Sequence, residues 1–254
     1  MTRNCVNNAG LQSIITLDQV LDYEKAVELP GSTSTALLSW QVRNGEVLTI
    51  IDGQGDHWRV RLDGSHLVPF EKLPAPTESP VRVTVFQALP EKERFELVLQ
   101  KLTELGVFRI VPIETERSTT CADRDAGQKK SHRWPDVLLR AARQCRRAMV
   151  PELAPVTSWD NALAEAVQSE CRMMLFEGET FWSLSELLYQ QQPDNVALLI
   201  GPEGGFTEVE AEQAQALGIV PVRLGPRLMR TETAAIAALT AVQYVVGDLA
   251  SGKR

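Results

Sequence analysis

The stretch VRVTVFQALPEKERFELVLQKLTELGVFRIVPI, residues 81–113, limits the fold more than any other part of the chain. Its first nine residues are a β-rich run. The next seventeen space their apolar side chains as a helix does, with Pro90 at the start and Gly106 at the end. A second β-rich run, VFRIVPI, follows at once, completing a strand–helix–strand unit. Further predicted strands at 172–176, 196–200 and 220–224 alternate with predicted helices at 183–190, 208–217 and 231–248. Such alternation implies an α/β fold whose parallel sheet is covered on both faces.

Upstream the pattern changes. EKLPAPTESP, residues 71–80, has three prolines in ten residues and no apolar periodicity, which reads as an extended linker. Before it, β-rich runs at 47–51 and 58–62 are joined through Asp52-Gly53-Gln54-Gly55-Asp56, as in a hairpin. Two domains are therefore predicted, a small β-rich module over residues 1–75 and the α/β domain over 76–254. With 44% hydrophobic and 23% charged residues, the 254-residue chain has material for one large core or two smaller ones.

Several classes are disfavoured. No apolar run is long enough to span a bilayer and the first residues lack a signal-peptide core, so a cytoplasmic protein is expected. Four dispersed cysteines and three histidines predict no metal site, and the thiols read as small buried hydrophobes. A net charge of −7 argues against indiscriminate nucleic-acid binding but leaves room for a local basic patch.

Two glycine stretches carry the chemistry. In LLIGPEGGFTEVE, residues 198–210, a strand ends at Ile200 and a helix starts at about Glu208, with Thr207 and Glu210 spaced as a capping box. A strand, a glycine loop and a helix present backbone N–H groups at the carboxyl edge of a parallel sheet, where ligand crevices form. The spacing matches neither GxxxxGK[ST] nor GxGxxG. A tight turn without ligand is the alternative. In VRLGPRLMRTETAAIAALTAV, residues 222–242, Gly225, Pro226, Arg227 and Arg230 separate a strand from a helix starting at Thr231. Glu232 falls in its first turn, where negative charge gains about 0.3–1 kcal/mol from the helix dipole.

A third stretch, SHRWPDVLLRAARQCRRAMV, residues 131–150, is basic in an acidic chain. On a helix, Arg133, Arg140, Arg143 and Arg147 share one face, opposite Trp134, Val137, Leu138, Ala141 and Cys145. Such a stripe either meets RNA phosphates or is a solvated helix face.

Together these stretches resemble the RsmE family of the SPOUT methyltransferase superfamily, enzymes that methylate N3 of a uridine in 16S ribosomal RNA. IGPEGGFTEVE (200–210) and LGPRLMRTETA (224–234) carry the resemblance, supported by EKERFELVLQKLTELGVFRIVPIETERS (91–118) and RAARQCRRAMVPEL (140–153). The resemblance implies a deep trefoil knot in the C-terminal domain, a rare exception to unknotted chains. It also implies a PUA-like N-terminal RNA-binding domain and a homodimer. S-adenosylmethionine (SAM) would be cradled by Phe176 and Glu177, by Leu199, Ile200, Gly201 and Gly204, and by Leu224, Gly225, Leu228, Met229 and Thr231. For the chemistry the resemblance points to Arg230 as the group that stabilises uridinate charge, with Glu203 and Glu232 as candidate bases. Arg3 stands where family members open with arginine and joins Arg133, Arg140, Arg143 and Arg147 as expected RNA contacts. Residues 1–80 hold six Lys and Arg against ten Asp and Glu, a net charge of −4 that suits RNA poorly. Two other readings stay open, a noncatalytic RNA-binding or ribosome-assembly protein of the same fold and a SPOUT methyltransferase with a different RNA target.

Overall fold

A computed structural model describes residues 15–91, 94–127, 131–178 and 182–250. Arg3 and Cys5 lie outside the described residues. The chain forms two compact units, one of residues 15–78 with 138–151 and one of residues 79–137 with 152–250. The sequence predicts a single crossing near residue 75. The return of 138–151 to the first unit carries no compositional signal.

The first unit contains β1 (Val27–Glu28), α1 (Gly31–Ser39), β2 (Val47–Ile51), β3 (His57–Asp63) and β4 (His66–Lys72). The strands form an antiparallel sheet in the order β1-β4-β3-β2. Along β3, Trp58, Val60 and Leu62 are buried while Arg61 and Asp63 are exposed, the period of two that one covered face requires. The register slips between Arg59 and Val60, opposite Pro69, whose missing N–H makes a regular ladder impossible there. Glu71 and Lys72 belong to β4, so the irregular stretch is shorter than the predicted linker and covers residues 73–80. It starts anchored, with the Leu73 amide donating to the His57 carbonyl at 2.8 Å and the Thr77 amide to His57 Nδ1 at 3.3 Å.

The β2–β3 turn is held by one buried carboxylate. Asp52 accepts from the amides of Leu21, Gln54 and Asp56 and from the Trp58 indole, at 2.9–3.2 Å. Burial alone would raise its pKa, but these four donors hold the carboxyl below the ordinary aspartate range. The stabilisation is therefore complete above the unfolded-state pKa and is lost as pH falls through the lower folded-state value. Asp52→Ala should cost roughly 1–3 kcal/mol at neutral pH. Urea unfolding at pH 7 and again in acid should show the gap between variant and parent shrinking on acidification.

The second unit begins with β5 (Arg82–Ala88), α2 (Arg94–Glu104), β6 (Arg109–Glu114) and α3 (Cys121–Gly127). The chain passes into the first unit within α4 (Trp134–Gln144). It resumes as β7 (Glu152–Leu153), β8 (Thr157–Ser158), α5 (Trp159–Ala166), β9 (Cys171–Leu175), β10 (Trp182–Ser183) and α6 (Leu184–Gln191). The last elements are β11 (Asn195–Ile200), α7 (Glu208–Ala216), β12 (Val220–Arg223) and α8 (Thr231–Val245). The strands form one parallel sheet in the order β10-β12-β9-β11-β5-β6-β7, with β8 also pairing β6.

Both sheet faces are covered, as the alternation predicts. Phe86, Val111, Met174, Ala197 and Leu199 join Trp159 and Leu163 of α5 and Ala211 of α7 in one core cluster. The alternate strand residues Val85, Ile110, Met173 and Leu198 are equally buried and point to the opposite face, where α8 packs on β11, α2 and α6. Fully buried Gln243 fixes the far end of α8, donating to the Gly106 carbonyl at 3.2 Å and accepting from Ser79 Oγ at 2.6 Å. Cys171 is the buried thiol expected, its pKa pushed up to about 11 by burial. Cys121 is buried as expected, but in a disulfide rather than as a free thiol. Among the described residues no helix is long and apolar enough to cross a membrane.

Candidate functional site

Strand β9 lies between β11 and β12 in the sheet, so the three loops at their carboxyl ends are neighbours in space. They line one cavity of about 370 Å³, within the usual range for a small-molecule site. The loop after β11 folds back on itself because Gly201 allows it. A Cβ at Gly201 would sit 3.2 Å from the Phe206 nitrogen and 3.3 Å from Gly205 Cα. In the loop after β12, Gly225 takes φ +77°, a conformation that L side chains resist.

Capping chemistry sets the exit of the first loop. Thr207 Oγ1 accepts from the Glu210 amide and Glu210 Oε2 accepts from the Thr207 amide, which starts α7 with the predicted capping box. Glu210 is buried, and its other oxygen accepts from the Glu116 amide at 2.9 Å. Arg117, next along, donates from Nη1 to the Gly204 carbonyl at 2.9 Å and enters the cavity wall. The loop after β6 is thus bound to the glycine loop. From the other side, Thr231 Oγ1 at the start of α8 donates to the Gly201 carbonyl at 2.6 Å.

Of the residues expected around a cofactor, Phe176 and Glu177 after β9 line the cavity, as do Ile200, Gly201 and Gly204 after β11. So do Leu224, Gly225, Leu228, Met229 and Thr231 after β12. Leu199 is a correction. Successive strand side chains point to opposite faces, so Leu199 packs fully buried in the α5–α7 core while Ile200 reaches the wall.

The three residues expected to do chemistry are not in the wall. Arg230 is exposed, forms the N-cap of α8 without a side-chain cap bond, and lies between Met229 and Thr231, which do line the cavity. Glu232 is half-buried in the first turn of α8, and its Oε2 is buried without a hydrogen-bond partner among the described residues. Glu203 is a second correction. Its carboxylate accepts from the Glu91 amide at 3.1 Å and from Arg94 Nη1 at 2.7 Å, so it secures the loop rather than facing a reactant.

The expected arginine stripe is also corrected. Helix α4 ends at Gln144, Arg146 takes φ +58°, and the chain turns Arg147 inward to 5% exposure against Glu78. Arg143 donates to both Glu46 oxygens and to the Trp40 carbonyl. Burial opposes ionisation of Glu46, yet the Arg143 guanidinium and the Arg43 amide hold its pKa below the ordinary range. Two of the four arginines are therefore structural cations. Arg133 and Arg140 are exposed.

Residues 77–243 match the model of an RNA methyltransferase domain. The ribosomal RNA small subunit methyltransferase E of Buchnera aphidicola (subsp. Schizaphis graminum) is 34% identical over 175 residues, covering 68% of this chain and 69% of that one. The chain belongs to the ribosomal RNA small subunit methyltransferase E family. A structure of a methyltransferase E from Neisseria gonorrhoeae bound to SAM is 29% identical with a TM-score of 0.67, over 93% of this chain and 99% of that one. A Legionella pneumophila protein solved with bound SAM is 32% identical with a TM-score of 0.64, over 94% and 100%.

The cavity wall also contains Arg117 and Arg223, which the sequence does not mark, together with Arg227, marked there only as a loop residue before α8, and Glu208, marked only as the start of a helix. Arg223 Nη2 donates to the Gly178 carbonyl at 3.3 Å and so links the loops after β9 and β12. The one available signal for Arg117 was its position just past a parallel strand, at the same sheet edge as the glycine loops.

Proposed function

We propose that this protein is a SAM-dependent methyltransferase acting on N3 of a uridine in 16S ribosomal RNA. The observation that carries the reading is the one cavity shared by Gly201 and Gly204 after β11 and Gly225 after β12, the two strands that flank β9. Its walls suit the cofactor. Ile200, Leu224, Met229 and Ala234 offer apolar surface for adenine, Arg117, Arg223 and Arg227 offer cations for a carboxylate, and Glu177 and Glu208 offer anions for ammonium and sulfonium. In the same reading the C-terminal domain carries the family's trefoil knot, the N-terminal module is PUA-like, and the enzyme works as a cytoplasmic homodimer.

When bound, SAM supplies an electrophilic methyl group on its sulfonium sulfur. The residues of the chain then have two tasks, to hold the base in line and to manage the N3 proton. Arg230, which in the chain lies between the wall residues Met229 and Thr231, is the group whose guanidinium stabilises the negative charge developing on O2 or O4 as N3 loses its proton. Glu232, with one buried oxygen that has no hydrogen-bond partner among the described residues, is the acceptor of that proton. The uridine must be unstacked to reach the cavity, which favours a single-stranded target. Exposed Arg133 and Arg140 offset part of that cost by neutralising phosphates.

Calorimetry with SAM tests the first half and is expected to give saturable binding. Mass-mapping of small-subunit RNA from cells lacking the protein tests the second and is expected to show loss of one methyluridine. Heats no larger than dilution, or an unchanged RNA, would refute the proposal.

A further inference from the structure

Gln87 is a fully buried polar residue near the carboxyl end of β5, among the apolar Val83, Val85, Phe86 and Ala88. A buried amide costs stability unless it is bonded, and this one is only half satisfied. Its Nε2 donates to the Ala88 carbonyl at 2.9 Å and to Thr231 Oγ1 at 3.0 Å, while its Oε1 is buried without a partner among the described residues. Stability alone would favour an apolar side chain of the same length. What the amide adds is the donor to Thr231.

That donor decides what the threonine does. A hydroxyl has one proton and two lone pairs. With Gln87 N–H on one lone pair, the Thr231 proton is directed to its other neighbour, the Gly201 carbonyl at 2.6 Å. Gln87 is absent from the cavity wall, whereas Thr231 and Gly201 belong to it. The chain of bonds therefore ties three separate pieces together, the end of β5, the first residue of α8 and the hinge of the glycine loop.

We propose that Gln87 is a positioning residue for cofactor binding, acting through the Thr231 hydroxyl to hold the Gly201 carbonyl and with it the shape of the loop between β11 and α7. The inference rests on the reading of the cavity as a SAM site. Gln87 is not among the residues of the cavity wall, so its loss weakens SAM binding and leaves the chemical step alone.

The test compares Gln87→Met, Thr231→Val and the double variant by SAM titration, steady-state methylation of small-subunit RNA and thermal unfolding. Methionine keeps the length and unbranched shape of Gln87 while removing both N–H groups and the orphaned oxygen. Gln87→Met should raise the Kd and KM for SAM about tenfold and leave kcat at saturating SAM within about twofold. The double variant should bind SAM no more weakly than Thr231→Val, because both changes act through one hydroxyl. Parental SAM affinity in a folded Gln87→Met, losses that add in the double variant, or a fall in kcat with KM unchanged would each overturn the inference. Gln87→Leu gives the same readout if the methionine variant does not fold. Failure of the parent protein to bind SAM would overturn the cofactor reading itself, and this inference with it.

Discussion

Arg147→Ala is expected to destabilise the unit built from residues 15–78 and 138–151 by about 3–5 kcal/mol, the range for removing one partner of a buried ion pair. Arg147 is 5% exposed, and its Nε and Nη2 both donate to Glu78 Oε2, at 2.9 and 2.6 Å. Glu78 Oε1 accepts from the Ala148 and Met149 amides, so the carboxylate also organises the turn that follows α4. Losing the guanidinium strands a carboxylate at 17% side-chain exposure and opens a gap in the packing. Denaturant unfolding followed through Trp40 and Trp58, both buried in this unit, reads the effect. A loss below about 1 kcal/mol, typical of an exposed pair, together with weakened RNA binding would return Arg147 to the phosphate role the sequence suggests.

Arg230→Ala is expected to slow methylation by about 10²–10³-fold, the usual effect of deleting one preorganised charge at a reacting oxyanion. SAM affinity should stay within about threefold, since the residue is outside the wall and binds through the transition state alone. The N-cap role does not confuse the result, because Arg230 caps α8 with backbone geometry and no side-chain bond. Single-turnover rates with SAM bound beforehand separate the two quantities. Methylation at close to the parental rate would remove Arg230 from the chemistry.

What the sequence reveals and what it hides divide along physical lines. Local rules worked where one segment decides its own structure. The helix from Glu208 follows from the Thr207–Glu210 box, and the hairpin around Asp52 follows from its glycines and flanking β-runs. The short helices α1, α3 and α5 have too few turns to register as periodic in the sequence. Charges misled wherever their partners were remote. Arg143 meets Glu46 across 97 residues, Arg147 meets Glu78 across 69, and Glu203 meets Arg94 across 109, and no spacing rule reports such pairs. Leu199 failed for a different reason. Its neighbour Ile200 reaches the cavity, and in a strand that alone sends Leu199 to the other face.

The excursion of residues 138–151 into the N-terminal unit has a consequence for biosynthesis. Leu138, Ala142 and Val150 are buried there, and Arg143 and Arg147 supply the counter-charges for Glu46 and Glu78. When residue 78 leaves the ribosome, those groups are still untranslated. At about 5–20 residues per second, the missing stretch follows on the order of 4–15 s later, and until then the nascent module has two carboxylates without their cations. An expression fragment cut at the proline-rich junction would remain permanently in that immature state.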